Sequence, residues 1–247
     1  MSSLNLLKGY MSEEDTEAEA EADEQHSKLP LPNSLKRVFP KEEVEDDPEK
    51  HDGRVRSYPH QRGNWNSLVY IPYQRNPPFD LLCDQIIEFC EPEIELKRVE
   101  EPHISLTRTF VLLYHWIDNF VSAVKGSIQT FSRFDLQFDD LKVYCNEEGT
   151  RTFLALAVGF GKMEITKSVQ VLDKCLSEYK LHPFYNEASF HMSILWCLGN
   201  KKSELEAKLP ELNKVFEANV SDSLDLTIPI TSYICKIGNK IYNLKLL

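Results

Sequence analysis

The sequence predicts an α+β fold of two related lobes, and three observations predict it. Apolar residues recur with period two in some segments and at helical spacing in others, so strands and helices alternate along one chain. Two of the strand-like segments, PHISLT and FHMSIL, carry the same His-x-Ser triplet 88 positions apart, at His103 and His191. Each triplet stands just before a helical segment, with a hairpin of strands between the two helices, so each lobe is expected to bring one histidine to a shared groove.

In chain order, NSLVYIPY reads as a first strand, ended by Pro72 and the Asn76-Pro77-Pro78 turn. Asp80 to Cys90 reads as a helix, with Leu81, Leu82, Ile86 and Phe89 near helical spacing. The first His-x-Ser strand follows, and Pro102 biases Glu101 toward an extended backbone. Phe110 to Lys125 reads as a second helix, in which Tyr114, His115 and Trp116 are expected to pack as core. RFDLQF, LKVYCN and RTFLALAVGF read as three strands, with a turn at Asn146 to Gly149 between the last two. Lys162 to Lys180 is a long helix, and the loop HPFYNEAS leads into the second His-x-Ser strand. Ser203 to Asn219 is a further helix, kinked or split at Pro210. Asp225 to Cys235 and Lys240 to Leu246 close the chain as a hairpin about Gly238-Asn239.

The charge is uneven. Residues 1–50 hold 14 acidic and 6 basic side chains, whereas the remaining 197 hold 25 and 22, so most of the net charge of -11 sits at the front. Ser12 to Gln25 is acidic and lacks aromatics, which predicts a disordered tail over residues 1–52 preceding one folded unit over 53–247. From His51 the composition changes: Arg54, Arg56 and Arg62 interleave with Tyr58, His60 and Trp65. That mixture suits a phosphate chain with stacked bases, and equally an ordinary charged lead-in to a strand. The longest apolar run, Phe153 to Phe160, is too short to span a membrane. MSSLNLLKGYM has no basic segment followed by an apolar run, so no secretory leader is expected. The six cysteines lack CxxC spacing, and HExxH, the P-loop and GxGxxG are absent; reduced thiols and metal-free, cofactor-free chemistry are expected.

That chemistry is read from the two triplets. In an extended strand His103 and Ser105 share one face while Ile104 and Leu106 share the other; His191 and Ser193 likewise oppose Met192 and Ile194. One such triplet among seven histidines is expected by chance, and alone it would be a strand-edge histidine. Two, each with a buriable opposite face, predict a pair of imidazoles and a pair of hydroxyls lining one cleft. Cleaving RNA through its own 2′-hydroxyl needs a base, an acid and donors for the phosphoryl oxygens, and this set supplies them. Histidine suits both proton roles because its ordinary pKa lies near neutrality.

Three blocks then carry a resemblance: GRVRSYPHQRGNW with VYIPY, HISLT with YHWI, and RTFLAL with FYNEASFHMSILWCLG. They resemble the U6 small nuclear RNA phosphodiesterase family of the two-histidine (2H) phosphoesterase superfamily, from about Gly53 to the C-terminus. The resemblance implies a bilobal fold of two pseudo-symmetric antiparallel lobes with helices outside and a central groove. It implies a nuclear, metal-independent enzyme that trims the 3′ uridine-rich tail of U6 RNA and leaves a terminal phosphate, cyclic in some members. It implies His103, Ser105, His191 and Ser193 as the catalytic set and Tyr185 as a platform for the terminal base. Thr107, which continues the polar face past Ser105, is a further candidate for substrate contact. The expected partner is a uridine-rich single-stranded RNA 3′ end, bound by a monomer with neither metal nor membrane. Another 2H activity, on 2′,3′-cyclic or 2′,5′ phosphodiesters, and a non-catalytic protein sheltering RNA 3′ ends stand as alternatives.

Overall fold

The computed structural model describes residues 63–185, 188–222 and 224–247. The acidic tail, the 52/53 boundary and the basic-aromatic stretch up to Arg62 lie outside the described residues. The chain forms β1 (Asn64–Pro72), α1 (Pro77–Cys90), β2 (Lys97–Arg98), β3 (His103–Ser105) and β4 (Phe110–Leu113). A 3-10 turn (Tyr114–Trp116), α2 (Ile117–Ile128), β5 (Phe134–Cys145), β6 (Arg151–Phe160) and α3 (Lys162–Glu178) follow. The last elements are β7 (His191–Leu198), α4 (Lys202–Asp222), β8 (Thr227–Ile230), β9 (Ser232–Ile237) and β10 (Lys240–Lys245). Among the described residues no helix is long and apolar enough to cross a membrane.

All strands join one antiparallel sheet in the order β10-β9-β1-β3-β7-β6-β5-β8, with β4 beside β1 and β2 beside β7. The two His-x-Ser strands are the central neighbours, and four strands of the path lie in each half. The α+β fold of two related lobes is therefore present, the lobes being halves of one continuous sheet.

The sheet is curled. β8 forms one edge and β9 lies in the other half, yet only Thr231 separates them, so the chain must cross between the halves within a few ångströms. Backbone bonds draw the edges together there: Arg133 donates to the Leu247 carbonyl (3.1 Å), Leu247 to Phe131 (2.8 Å) and Leu246 to Thr231 (2.9 Å). The segment Asp225–Cys235, expected as one hairpin arm, is thus two strands serving different lobes. Pro229 sits in β8, at the sheet edge, where its missing N–H costs no ladder bond. The β9–β10 hairpin does turn at Gly238, whose φ is +55°; a Cβ there would lie 2.4 Å from the Trp65 ring, so only glycine fits.

Helices cover the apolar face of the sheet. α2 packs against α3 and β10, and α1 against α4, which lies on β5. The core runs without interruption under both lobes, with Val69, Ile71, Leu82, Ile86, Ile104, Leu136, Leu156, Leu172, Met192 and Leu212 all at 2% exposure or less. α1 begins at Pro77, three residues before the expected Asp80, because Asn76 caps it, its side chain accepting from the Phe79 N–H (2.9 Å), with prolines in the first turn. α4 keeps Pro210 inside a single helix.

Three further differences from the sequence reading have local causes. Phe110–Leu113 is a strand, not the first turn of a helix, because it pairs with Asn64–Ser67 of β1. Tyr114, His115 and Trp116 are not core: Tyr114 is 63% exposed, and only Trp116 packs on the core margin, edge-on to Tyr179. RFDLQF and LKVYCN form one long strand whose register slips between Gln137 and Leu141, which bends it.

One buried polar contact ties α3 to the sheet. Ser168 Oγ donates its only proton to the Glu164 carbonyl (2.9 Å), so the Tyr233 hydroxyl, 2.8 Å away, donates to Ser168. Burial pushes the Tyr233 pKa up to about 12, which keeps it a donor. Ser168→Ala leaves this hydroxyl buried without an acceptor and is expected to cost about 1–3 kcal/mol. Adding Tyr233→Phe to Ser168→Ala should recover part of that loss; chemical denaturation of the four proteins in the cycle measures it, and strict additivity would contradict the pairing.

Candidate active site

The site is built on the β3–β7 pairing. Ile104 lies opposite Met192, and both side chains are buried, at 1% and 0% exposure. Continuing this antiparallel register by one residue each way sets His103 level with Ser193 and Ser105 level with His191. Strand alternation sends all four to the opposite, concave face, where each is half-buried. The neighbouring strands complete two rows, Tyr70-Ser105-His191-Ala157 and Pro72-His103-Ser193-Ala155. The histidines are diagonal neighbours on adjacent strands, a relation that sets the residues roughly 7–8 Å apart and their Cβ atoms somewhat closer. The structure therefore brings together His103, Ser105, His191 and Ser193.

Each imidazole is held alike. His103 Nδ1 lies 2.8 Å from the Glu101 carbonyl, and His191 Nδ1 lies 2.7 Å from the Ser189 carbonyl. A carbonyl only accepts, so both Nδ1 atoms carry the proton and both Nε2 atoms remain for the groove. The rings are also clamped on aromatic faces. Tyr70 packs on His103, tilted, with centroids 4.9 Å apart, and Tyr144 lies flat on His191, with centroids 3.7 Å apart and planes 14° from parallel. Tyr144 belongs to β5, so its ring crosses β6 to reach β7. It can do so because β6 presents only Ala155 and Ala157 beside Ser193 and His191. The Tyr144 hydroxyl meets Ser189 Oγ at 2.7 Å, so the residue whose carbonyl orients His191 is itself fixed by the ring that stacks on it.

Electrostatics favour neutral rings. Burial lowers the pKa of His103, opposed by the Glu101 carbonyl and carboxylate and aided by Lys236. Burial also lowers that of His191, opposed by the Ser189 carbonyl, and a proton on His103 lowers it further. Among the described residues, neither serine hydroxyl has a hydrogen-bond partner.

The other candidates fall differently. Tyr185 is 49% exposed, and the Arg108 guanidinium sits 4.1 Å from its ring centroid while pairing with Glu147. Thr107 does not extend the polar face: β3 ends at Ser105, and Thr107 is 1% exposed. Its Oγ1 accepts the Val69 N–H at 3.0 Å, so it anchors β1 to the turn after β3. A bulge at Ile194 also breaks the alternation of the second strand, which on its own would put Leu195 on the face of His191 and Ser193. Ser193 pairs with Ala155 but Leu195 with Leu154, so beyond the bulge Trp196 faces the groove and Leu195 faces the core. Sequence reasoning missed Tyr70 and Tyr144. Both stand in alternating segments, but their partners come from distant strands and leave no local spacing to read. All six cysteines are free, and among the described residues no cluster of three or more His, Cys, Asp or Glu is arranged to hold a metal.

The lowered histidine pKa values have a stability sign. Well above the unfolded value of about 6.5, neither folded nor unfolded chain binds these protons and the pair is neutral. As pH falls below that value the unfolded chain takes up protons first, so stability drops, the more so as pH approaches the depressed folded values. His191→Gln is therefore expected to gain thermal stability relative to wild type as pH is lowered from about 7.5 to about 5.5. Paired melting curves check this; a pH-independent difference would contradict the shift.

Comparison with known proteins agrees with this geometry. The HVSL family, described as an uncharacterised conserved protein, matches residues 29–245. U6 snRNA phosphodiesterase 1 of Mus musculus is 37% identical over 223 residues, covering 89% of this chain and 84% of the mouse protein. That of Xenopus laevis is 40% identical over 225 residues, covering 89% and 90%. Among solved structures, Kluyveromyces marxianus Usb1 aligns with a TM-score of 0.54 at 14% identity, over 73% of this chain and 98% of Usb1, and the same protein has been solved with uridine monophosphate. The fold is thus that of Usb1, and by its match along most of its length this chain belongs to the HVSL family, together with the U6 snRNA phosphodiesterase 1 proteins.

Proposed function

We propose that this protein is a metal-independent 3′-to-5′ RNA exonuclease that trims the uridine-rich 3′ end of U6 small nuclear RNA. One observation carries the reading: two imidazoles on adjacent strands, each with Nδ1 bound to the carbonyl two residues before it, present both Nε2 atoms to one groove. The names of the relatives supply the substrate, and the polar face supplies the chemistry. The neutral histidine takes the proton of the 2′-hydroxyl as its oxygen attacks the adjacent phosphorus. The P–O5′ bond breaks, and the protonated histidine gives its proton to the departing 5′-oxygen. A nucleoside with a free 5′-hydroxyl leaves, and the shortened RNA ends in a 2′,3′-cyclic phosphate. Ser105 and Ser193, each level with the opposite histidine, donate to the non-bridging oxygens as charge builds there. Tyr185, backed by Arg108, receives the terminal base; stacking of this kind is worth roughly 1–3 kcal/mol. Thr107 has no part in substrate contact under this reading. The whole set lies in one chain, which suits a monomer, and a U6 RNA substrate supports residence in the nucleus.

A uridine-tailed RNA incubated with the protein in EDTA should shorten one nucleotide at a time, and mass spectrometry should find the cyclic end. A 2′-deoxy sugar at the attacking position should stop cleavage. All-DNA cleavage, or a need for added metal, would sink the mechanism. Release of only 2′,3′-cyclic or 2′,5′ linkages would reassign the substrate.

His103→Ala and His191→Ala should each lose roughly 10²- to 10⁴-fold in kcat/KM, and the serine variants less. Normal RNA processing by both histidine variants would point to a binding protein. Because burial lowers both histidine pKa values, kcat/KM against pH should be bell-shaped with its centre on the acid side of about 6.5. Tyr144→Leu should lower kcat more than it raises KM, since it disturbs the seat of His191 and not a base contact.

A further inference from the structure

The two halves of the sheet repeat one arrangement around their histidines. Glu101 and Ser189 each lie two residues ahead of a histidine, just outside the strand that carries it. Each gives its carbonyl to the imidazole Nδ1. The residue in between is pinned from the neighbouring strand's side. The Pro102 carbonyl accepts the Tyr73 N–H just past β1 (3.1 Å), and the Phe190 carbonyl accepts the Val158 N–H of β6 (3.0 Å). The repeat then goes one step further out. The Ser189 side chain meets Tyr144 of β5, two strands from β7, at 2.7 Å. The Glu101 carboxylate accepts from the Lys236 ammonium of β9, two strands from β3, at 3.3 Å.

The two ties differ in charge. On the His191 side hydroxyl meets hydroxyl. On the His103 side an ion pair passes over β1, where Lys236 stands opposite Leu68. Its two ends act on His103 in opposite senses: the Glu101 carboxylate favours the imidazolium, and Lys236 disfavours it. Both also bear on the Tyr70 hydroxyl, whose ring packs on His103. From β7, His191 faces the same space, and the adjoining cleft carries Lys97, Arg98, Glu100 and Arg151. The side chains of the pair are 76% and 42% exposed. Exposed ion pairs add little to folding stability, so this one can be removed without unfolding the chain.

We propose that Glu101 and Lys236 are positioning residues for His103: their ion pair fixes the residue whose carbonyl orients the imidazole, as the Tyr144–Ser189 contact does for His191. Neither touches the reacting atoms. Pro102 keeps the Glu101 backbone extended, and Lys236 holds the same residue by its side chain. The consequence for rate rests on the RNA-cleaving reading above; the consequence for the ring does not.

The test follows both imidazoles in the full chain by NMR across pH, with cleavage of a uridine-tailed RNA measured alongside. Ring-nitrogen shifts report the tautomer. In Glu101→Gln and in Lys236→Met the Nδ1–H form of neutral His103 should lose population while that of His191 holds. The His103 pKa should move in opposite directions: down in Glu101→Gln, which leaves Lys236 unopposed, and up in Lys236→Met, which leaves the carboxylate unopposed. Both variants should melt close to wild type and, at their own pH optima, lose about two- to fivefold in kcat with KM little changed, the scale of an exposed ion pair. The exchange Glu101→Lys/Lys236→Glu restores the tie with its charges reversed. It should recover the Nδ1–H tautomer and most of kcat while the His103 pKa stays below that of wild type. An unchanged His103 tautomer in both single variants, pKa shifts of one sign, or no recovery in the exchange would overturn the positioning role. If the rings respond as expected but wild type does not cleave RNA, the RNA-cleaving reading fails and the positioning pair stands.

Discussion

The site depends on one short pairing, that of β3 with β7 about Ile104 and Met192. β3 has three residues, so it contributes little ladder of its own. It is held instead by its surroundings. Leu106 N–H bonds the Val69 carbonyl at 2.8 Å, Tyr73 N–H bonds the Pro102 carbonyl at 3.1 Å, and Val99 N–H reaches the Ile194 carbonyl at 3.0 Å. Ile104 and Leu106 are buried beneath it. Side chains of period two do the rest: fixing the apolar positions in the core fixes the polar positions in the groove, and a slip of one residue would exchange them. The chemistry of the groove is thus enforced from the other side of the sheet.

A second constraint acts on the imidazoles. A carbonyl two residues back in an extended strand is a local acceptor that needs no distant partner, so each His-x-Ser unit carries its own tautomer control. Long-range structure supplies the clamps, and it supplies them unequally. His191 has a ring stacked flat on it, tied back by its hydroxyl to Ser189; His103 has a tilted ring and a nearby carboxylate. The near-symmetry of the sheet makes two equivalently oriented imidazoles, and under the proposed mechanism their unequal surroundings are what let one act as base and the other as acid.

Much of this was legible in the chain because it is local. Strand alternation gave the shared face of His103 and Ser105 and of His191 and Ser193, and Gly238-Asn239 and Asn146–Gly149 marked two real hairpins. What was not legible is set by pairing at a distance. Phe110–Leu113 carries apolar residues that suit a helix, and only β1 makes it a strand. Asp225–Cys235 reads as one strand because nothing nearby shows that Thr231 sits where a curled sheet brings its edges together. Thr107 fits the alternation on paper, but the strand ends before it, and its hydroxyl is taken by Val69. The Ile194 bulge is likewise silent in the sequence, and it alone decides whether Leu195 or Trp196 faces the groove.

That bulge joins fold to function. Without it, Leu195 would follow Ser193 on the concave face and Trp196 would be turned into the core. The floor past the histidines would then be a branched aliphatic side chain, with no flat ring opposite Phe153. An inserted residue costs a local break in the β6–β7 ladder, and Ile194, 1% exposed, recovers some of that by burial. The return is a cross-strand pair of rings, Trp196 opposite Phe153, lining the cleft that adjoins His103.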